Sequence, residues 1–355
     1  MPHPSPAAPS RQPARLRRRR ALALPLLAAG TLLAFVISLG VGPVGIAPAD
    51  TLTVLREAAL GRTADVANAL VITEVRLPRA ILALLAGAGL SIAGAAMQAY
   101  FRNPLAEPGV TGVAGGAAVG AVIVLVSGVS ALGPWTLPAA AFAGAMAVLL
   151  VVQAVAALTR DRDVTTVLLL GIALNAFCGA LTGALVANAE DSQTVRGAMF
   201  WLQGDLTAAK WRDVTLVAAP VAGAALLLLT FSRELNALLL GDEIARSMGV
   251  DVPRIRTAIL VLTSVLVGGI IAVTGVIGFV GLVAPHIVRM LLGSDHRLLL
   301  PGAALLGALF LLAADTVARL APAGTSWQTG VVTALAGSPL FFFLVLRTRH
   351  GRRTP

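Results

Sequence analysis

Charged side chains are scarce in this sequence. Asp, Glu, Lys and Arg make up 12% of its 355 residues, against about 25% in a typical soluble domain. Hydrophobic residues make up 57%, and the mean hydropathy is +0.87. A water-soluble fold of this size could not bury so much apolar surface, and long uncharged runs recur along almost the whole chain. The composition therefore predicts an all-α, polytopic membrane bundle in one domain.

Lysine and cysteine each occur once. Lys210 is followed by Trp211, whereas a phosphate-binding loop needs G-x-x-x-x-G-K followed by Ser or Thr, so that the lysine reaches the phosphates. We therefore do not expect the chain to hydrolyse ATP itself. Cys178 lies in an apolar run and has no second cysteine for a disulfide or a metal cluster. This position predicts a small thiol packed in the core.

The four histidines show no pattern of an enzyme or of a metal site. His286 and His296 are separated along the chain, and His3 and His350 lie near its ends. The sequence contains neither H-E-x-x-H nor a Ser-His-Asp arrangement that supports nucleophilic catalysis. We therefore expect no enzymatic activity, no metal site and no cofactor.

Ten apolar runs approach the length that crosses a membrane, roughly 20 residues for a hydrocarbon core of about 30 Å. The seventh and eighth are nearly continuous, and we place the turn between them at Gly275 and Gly278 because glycine relaxes backbone restrictions. The predicted spans are 21–41, 80–99, 110–130, 136–158, 165–187, 214–232, 257–275, 276–292, 298–319 and 329–346.

A basic segment with Arg15 and Arg17 to Arg20 precedes the first run. Ala47-Pro48-Ala49 resembles a signal-peptidase site, but the run has about 20 residues, whereas the apolar part of a signal peptide has about 7 to 15. We interpret the run as a retained first helix. The predicted organisation is a basic, disordered cytoplasmic tail over 1–20, a transmembrane domain over 21–347 and a second cytoplasmic tail over 348–355.

The distribution of arginine and lysine predicts the orientation of the spans. With ten alternating spans and a cytoplasmic N-terminus, 19 of the 27 Lys and Arg residues fall inside and 8 fall outside. Cytoplasmic loops carry such an excess, so we predict a multi-pass protein of the inner (plasma) membrane with both termini in the cytoplasm. Arginines that flank spans account for the net charge of +10. The expected partner of this charge is therefore membrane lipid and not nucleic acid.

Three classes of membrane protein remain open from composition alone. An ion-coupled secondary transporter usually places ionisable groups near the bilayer midplane, and the predicted spans hold almost none there. Asp315 and Arg319 lie near the outer end of the ninth span, and Glu107 lies at a cytoplasmic end. This weakens the ion-coupled alternative, although backbone carbonyls can also bind ions. A transport subunit that uses a separate energy source and a structural or assembly protein are the other two classes.

One polar segment, Ser232–Arg256, lies between the sixth and seventh spans on the predicted cytoplasmic side. Ile244 and Met248 are spaced to share the apolar face of a short helix, and Asp242 and Glu243 suit the positive end of a helix dipole at its start. The segment is either an amphipathic loop on the membrane surface or a docking element for a cytoplasmic partner.

Several dispersed motifs carry a resemblance to a known family. The sequence is similar to the permease subunits of ATP-binding-cassette importers for iron-siderophore complexes, haem and cobalamin, the FecCD family. The resemblance covers roughly residues 21 to 347. The matching stretches are Arg76-Leu77-Pro78-Arg79, Gly94 with Gln98, Asn103 to Gly109, Leu239 to Glu243, Met248-Gly249-Val250, Ile277 to His286, Asp295-His296-Arg297 and Asp315 to Arg319.

The resemblance implies an assembly of several subunits. Two permeases of ten helices each would form a homodimer or a heterodimer, two ATPase subunits would bind beneath them, and a solute-binding protein would dock from outside. The resemblance also implies roles for particular residues. Outward-facing Arg76, Arg79 and Arg319 would bind acidic residues of the solute-binding protein. Leu240, Gly241, Asp242, Glu243, Ala245, Met248 and Gly249 would couple to the ATPases.

The resemblance places the translocation path along the subunit interface, lined by the fifth and tenth helices. Asn103, Leu105 and Thr165 would lie near its cytoplasmic constriction. From the residues alone, Asn103 can equally cap the third helix. The cargo implied is a ferric siderophore, with haem or cobalamin as the alternative, because these permeases share their motifs and the binding protein usually selects the ligand.

The sequence departs from the family before the tenth span. The family usually has E-L-P-x-G there, whereas this chain has Ser326-Trp327-Gln328-Thr329-Gly330. A carboxylate and a proline that starts a helix are both replaced. Trp327 would lie at the outer interface, where tryptophan is favoured. The change removes any docking contact that depends on the glutamate and hints at a different partner subunit or cargo.

Overall fold

A computed structural model of the chain describes residues 14–62, 64–158, 164–322, 325 and 327–350. Within these ranges every regular element is a helix. Residues 1–13 and 351–355 of the predicted tails, the predicted cytoplasmic loop at 159–163, and Ser326 lie outside the described residues.

The described ranges contain fourteen α-helices. A π-helical segment, Val71–Arg76, leads directly into the third of them, and short 3-10 segments at Pro108–Thr111 and Gly133–Trp135 precede the fourth and fifth. The α-helices are α1 (Ala14–Gly40), α2 (Pro48–Ala59), α3 (Leu77–Tyr100), α4 (Val113–Ser127), α5 (Thr136–Leu158), α6 (Val164–Ala187), α7 (Ser192–Leu202), α8 (Trp211–Thr230), α9 (Ser232–Leu239), α10 (Asp242–Ser247), α11 (Val252–Thr274), α12 (Val280–Leu292), α13 (His296–Ala318) and α14 (Thr329–His350).

Ten of these helices follow the ten predicted spans in order. In the described part of the chain, seven are long and apolar enough to cross a membrane: α1, α3, α5, α6, α8, α11 and α13. The remaining three, α4, α12 and α14, contain shorter apolar stretches. The predicted all-α membrane bundle is confirmed. The exact number of crossings, the side of each terminus and the division into tails and domain stay predictions.

The first helix begins earlier than expected. α1 starts at Ala14, so the helix extends over residues 14–20 before the first predicted span, and the division between tail and domain stays a prediction. Arginine and alanine are good helix formers, and the basic segment therefore continues the apolar helix that follows it.

The most buried spanning helix is α3, which packs against α8, α11, α12 and α13. Glycine allows backbones to approach where lipid supplies no hydrophobic driving force between helices. A Cβ atom on Gly94 would overlap the carbonyl oxygen of Gly281 in α12, and one on Gly87 would overlap that of Gly307 in α13. Backbone therefore lies directly on backbone at both contacts, and a larger residue is excluded there.

The turn between α11 and α12 lies where the sequence predicts it. Gly275 caps α11 with a φ of +67°, a left-handed conformation that glycine adopts without strain. A Cβ atom on Gly275 would also overlap the carbonyl oxygen of Trp201 at the end of α7. Gly278 lies in the same linker, but α12 starts only at Val280, four residues later than predicted.

Two short helices outside the predicted spans, α2 and α7, were not expected. The side chain of Asp191 caps α7, because one carboxylate oxygen accepts hydrogen bonds from the backbone N–H groups of Gln193 (2.7 Å) and Thr194 (2.8 Å). Hydrogen bonds from Thr194 lower the pKa of Asp191 below its ordinary value. With 12 and 11 residues, α2 and α7 are both too short to cross a membrane, so a search for apolar runs of about 20 residues does not detect them.

The helix α6 is mostly exposed, whereas α3 is mostly buried. Only 17% of its most apolar 18-residue window is buried, against 78% for α3. Cys178 is one of its few buried residues, with 5% of its surface exposed, and the predicted packed thiol is confirmed. Most of α6 therefore faces lipid or another subunit.

Candidate functional site

The structure brings the three predicted docking arginines together at one end of the bundle. Arg76 ends the π-helical segment, Arg79 lies in the first turn of α3, and Arg319 follows α13. All three line a cavity of about 560 Å³. Pro43, Val44, Val71, Val75, Phe200, Asp205, Thr207, Ala318, Trp327 and Gln328 also line it.

Asp315 forms ion pairs with two of these arginines. Its carboxylate lies 2.9 Å from Nη2 of Arg79 and 3.3 Å from Nε of Arg319, and its own side chain is fully buried. The hydroxyl of Thr329, in the first turn of α14, donates a further hydrogen bond of 3.1 Å to Asp315. One carboxylate thus joins α3, α13 and α14.

Backbone carbonyls accept hydrogen bonds from the guanidiniums of Arg76 and Arg319. Arg76 donates to Leu39 at 2.7 Å and also to Val44, and Arg319 donates to Ser38 at 3.0 Å. These carbonyls belong to the end of α1 and the turn after it. The three arginines therefore tie the first helix to α3 and α13.

Two of the three arginines are largely shielded from solvent. The exposed fraction of Arg76 is 4% and that of Arg79 is 7%, because their guanidiniums already bind groups of the same chain. A docking role stays a prediction, and it requires that a partner reach into the cavity. Three guanidiniums and the Asp205 carboxylate line the cavity, and the Asp315 carboxylate pairs with two of the guanidiniums, so the net charge of these five groups is positive.

The stretch that departs from the family pattern lies at the same cavity. Trp327, with 46% of its surface exposed, and Gln328 both line it. Thr329 starts α14 and binds Asp315. A partner that enters the cavity would therefore meet a tryptophan and an amide from this stretch.

At the opposite end of the bundle, the predicted coupling residues form a compact protrusion. Gly241, with a φ of +107°, separates α9 from α10, and Gly249, with a φ of +84°, closes the turn after α10. Both conformations strain any residue with a side chain. The acidic residues Asp242 and Glu243 occupy the first turn of α10, as the sequence predicts.

Apolar side chains project from this protrusion, which we call the coupling knob (residues 240–249). Leu240, Ile244 and Met248 are exposed over 57%, 49% and 61% of their surface, whereas Ala245 is fully buried. Leu240 follows the last residue of α9, whereas Ile244 and Met248 lie four residues apart on α10 and its C-cap and so point to the same side. Exposed apolar clusters mark interaction sites more often than isolated apolar residues do.

The predicted constriction residues lie in the loop after α3 and at the start of α6. The side-chain oxygen of Asn103 accepts a hydrogen bond from the backbone N–H of Leu105 at 2.9 Å, so Asn103 stabilises the loop and does not cap α4. Leu105 is 50% exposed. Thr165 is exposed as well. The role of these three residues in a gate stays a prediction.

A second cavity, of about 500 Å³, follows the exposed side of α6. The loop after α3, α4 and α6 form most of its wall, and the polar residues that line it are Glu107, Asn175 and Thr182. Asn175 donates a hydrogen bond of 2.8 Å to the carbonyl of Gly109, whereas the buried hydroxyl of Thr182 has no hydrogen-bond partner among the described residues. Burial raises the pKa of Glu107 above its ordinary value.

Sequence reasoning did not find this cavity. Asn175 and Thr182 are spaced by two helical turns on α6 and therefore share one face. These two polar residues on one face of an apolar helix were the signal from which the cavity could have been predicted. α6 corresponds to the fifth span, one of the two helices that the family resemblance assigns to the translocation path.

The chain is similar to several known proteins. A model of the FecCD transport family matches residues 30–347. The cobalamin import system permease protein of Halobacterium salinarum is 43% identical over 283 residues, which cover 79% of this chain and 74% of that protein. The hemin transport system permease protein of Yersinia pestis is 41% identical over 290 residues, which cover 79% of this chain and 84% of that protein.

Two further matches cover nearly the full length. The vitamin B12 import system permease protein of Salmonella paratyphi A is 40% identical over 340 residues, which cover 96% of this chain and 98% of that protein. A solved structure, described as a metal-chelate type ABC transporter in an inward-facing conformation, has a TM-score of 0.82 and 31% identity. That match covers 91% of this chain and 98% of the solved one.

Proposed function

The chain belongs to the FecCD transport family and is a multi-pass inner-membrane permease subunit of an ABC importer, and from this we propose that its cargo is a metal chelate. The match of the family model over residues 30–347 carries the proposal. Sequence analysis favours ferric siderophores. The relatives named for cobalamin and hemin favour a macrocyclic chelate of that kind, and the siderophore is the second candidate.

Uptake by whole cells tests the cargo. A strain that lacks this chain would be given radiolabelled cobalamin, iron-labelled hemin or a ferric hydroxamate siderophore, each as the single labelled compound. Loss of cobalamin or hemin uptake, restored by the chain, supports the first candidate, and loss of siderophore uptake supports the second. Normal uptake of all three would contradict the proposal. Uptake that collapses with an uncoupler while ATP is held constant would instead indicate an ion-coupled transporter.

We also propose that the coupling knob binds the ATPase subunits. Its exposed leucine, isoleucine and methionine offer an apolar contact, and the glycines at 241 and 249 fix its shape. Met248→Glu is expected to abolish co-purification of the ATPase, because a charge would be buried at the contact. Leu60→Glu is the matched control, since Leu60 is 59% exposed but lies after α2 on the predicted outer side. Equal ATPase recovery from both variants would contradict this role.

A second permease subunit is proposed to cover α6. The low burial of this helix supports a partner, and the resemblance leaves open whether that partner is a copy of the chain or a paralogue. Ile172 is 53% exposed on α6 and offers a site for a crosslinking cysteine. Disulfide formation between two copies of Ile172→Cys would identify a homodimer, and its absence in the assembled complex would indicate a heterodimer.

At the outer face, we propose that the arginine-lined cavity receives an acidic group of the solute-binding protein. The excess of guanidinium over carboxylate groups supports this assignment. A single exposed ion pair contributes at most about 1 kcal/mol, whereas a partly enclosed basic cavity also orients the encounter.

A further inference from the structure

Arg256 connects the coupling knob to the core of the bundle. It lies in the second turn of α11, and its guanidinium Nη2 donates to the carboxylate of Asp242, the first residue of α10, at 2.8 Å. The Arg256 side chain is only 5% exposed, whereas that of Asp242 is 31% exposed. The knob is thus anchored from inside the protein.

The same guanidinium contacts the end of α3. Its Cζ atom lies 5.1 Å from the centre of the Tyr100 ring, a distance at which a cation interacts favourably with an aromatic face. Tyr100 is the last residue of α3 and is 2% exposed. The next residue, Phe101, packs edge-on against Tyr100 with the ring centroids 4.9 Å apart. Arg256 therefore bridges the knob and the residues from which the loop with Asn103 and Leu105 begins.

A second contact joins the same two segments. Arg102, which has a φ of +49°, directs its guanidinium toward the knob, and a Cβ atom on Gly241 would lie 3.6 Å from its Nη1 atom. The loop and the knob are therefore neighbours at Gly241 as well as at Asp242.

The bonding of Arg256 is incomplete. Within the described residues, its buried Nε and Nη1 atoms have no hydrogen-bond partner. A buried guanidinium with unsatisfied N–H groups carries a free-energy cost, which a purely structural anchor would normally avoid. The unsatisfied N–H groups can donate to a new acceptor if the knob moves, without breaking existing hydrogen bonds.

We propose that Arg256 is a positioning residue that transmits displacement of the coupling knob, through Tyr100, to the loop that contains Asn103 and Leu105. The inference rests on the proposed coupling of the knob to an ATPase, and it names the physical contact that carries this coupling to the cytoplasmic end of the path. A chain of contacts becomes a coupling route only when its removal changes the response of the distant site.

Thiol labelling of the loop measures this response. The complex of the chain with its ATPase subunits would carry Cys178→Ala and Leu105→Cys and be reconstituted in lipid nanodiscs. The rate at which a fluorescent maleimide labels position 105 would be measured without nucleotide and after trapping with ATP and vanadate, alongside the rate of ATP hydrolysis. Without further substitutions, trapping is expected to change the labelling rate.

Arg256→Gln is expected to reduce this nucleotide-dependent change at least about fivefold, in line with the loss of a charge-assisted hydrogen bond. The ATPase subunits should still hydrolyse ATP, so hydrolysis and loop movement become uncoupled. Arg254→Gln is the matched control, because Arg254 lies two residues earlier on α11 but its side chain is 86% exposed. The complex with Arg254→Gln should show the same nucleotide-dependent change in labelling rate as the complex that carries only Cys178→Ala and Leu105→Cys.

Tyr100 provides an independent pair of variants. Tyr100→Leu removes the aromatic face and should reduce the response as Arg256→Gln does, whereas Tyr100→Phe keeps the face and should not. The double variant Arg256→Gln with Tyr100→Leu should lose no more than either single variant, since residues on one route are not additive. If the Arg256→Gln chain fails to assemble with the ATPase subunits, the comparison of Tyr100→Leu with Tyr100→Phe tests the inference by itself.

The outcomes separate the inference from the function on which it rests. A labelling response that persists in Arg256→Gln, or in Tyr100→Leu, would overturn the inference alone. A parent complex that binds no ATPase or shows no nucleotide response would overturn the proposed coupling and the inference together.

Discussion

Arg79 and Asp315 form an ion pair of 2.9 Å whose side chains are 9% and 0% exposed, and 236 residues of sequence separate them. The carboxylate also lies 3.3 Å from Arg319. Two cations of the outer cavity therefore depend on one buried anion. Removing one partner of such a pair leaves an uncompensated buried charge, which is far more costly than losing an exposed pair.

Asp315→Asn should therefore destabilise the protein strongly. We expect a loss of about 3–5 kcal/mol in the free energy of unfolding, since Arg79 and Arg319 lose their shared counter-charge. Glu57→Gln is the control, because its partner Arg56 is 75% exposed and such a pair contributes at most about 1 kcal/mol. Thermal unfolding in detergent compares the two, and similar unfolding temperatures would contradict the structural role of Asp315.

Trp327→Glu should weaken docking of the solute-binding protein. A carboxylate at the edge of the arginine-lined cavity would offset its positive charge and repel an acidic group of the partner. Trp327→Gln removes the same ring without adding charge, and it therefore separates the effect of losing the ring from the effect of adding a negative charge. Binding would be measured at low and high salt. The Glu variant should bind more weakly than the Gln variant at low salt, and the gap should narrow as salt screens the charges. Equal affinities at low salt would argue against an electrostatic role of the cavity.

Gly94→Ala should disrupt the contact between α3 and α12. The added methyl group would overlap the carbonyl oxygen of Gly281, and overpacking of this kind costs about 1–3 kcal/mol or more. Gly183→Ala in α6 is the matched control, because nothing lies within 4 Å of its Cβ position. The yield of folded protein and its unfolding temperature should fall only for the first variant. Unchanged values for Gly94→Ala would mean that these backbones do not touch.

Glu107→Gln should stabilise the protein at neutral pH. Burial raises the pKa of Glu107 above its ordinary value of 4.5, so the carboxylate is buried at a cost whenever the pH is above the folded-state pKa. As the pH falls through that raised value toward 4.5, Glu107 is protonated and the cost disappears. The advantage of the Gln variant should therefore be present near pH 7 and absent near pH 4. Unfolding temperatures at the two pH values check this, and an advantage that grew in acid would have the wrong sign.

Cysteines at exposed positions should report the orientation. Leu240 in the coupling knob and Leu60 after α2 are both more than half exposed, and Cys178 is buried. An impermeant maleimide added to intact spheroplasts should label Leu60→Cys and spare Leu240→Cys, and inverted vesicles should reverse the pattern. Labelling of Leu240→Cys from outside would overturn the predicted orientation.

Local signals allowed part of this fold and site to be predicted. Apolar runs located the helices, and Gly275 located the turn between α11 and α12, because one glycine conformation decides that boundary. Asp242 and Glu243 located the start of α10, since acidic residues favour that end of a helix. Each of these features depends on residues that are close in sequence.

Features that depend on distant residues could not be predicted in this way. The count of Lys and Arg assigns Arg76 and Arg79 to one side of the membrane, but it does not say that their guanidiniums bind Leu39 and Asp315. The full lining of the cavity beside α6 could not be predicted either, because Glu107 and Thr182 line one cavity only after the loop following α3 and α4 has packed against α6. Pairing and cavities follow from tertiary packing, which periodicity does not describe.

The central position of α3 has a consequence for how the protein is made. The ribosome completes α3 before α8, α11, α12 and α13, the helices that surround it, have been synthesised. Until then the glycine surface of α3 has no helix to pack against, and Arg79 has no ion-pair partner, because Asp315 is translated 236 residues later. A long arginine side chain can keep its charge at the headgroups in the meantime. During biogenesis α3 is therefore first a peripheral helix, and it becomes the central helix of the bundle only after the last third of the chain has been synthesised.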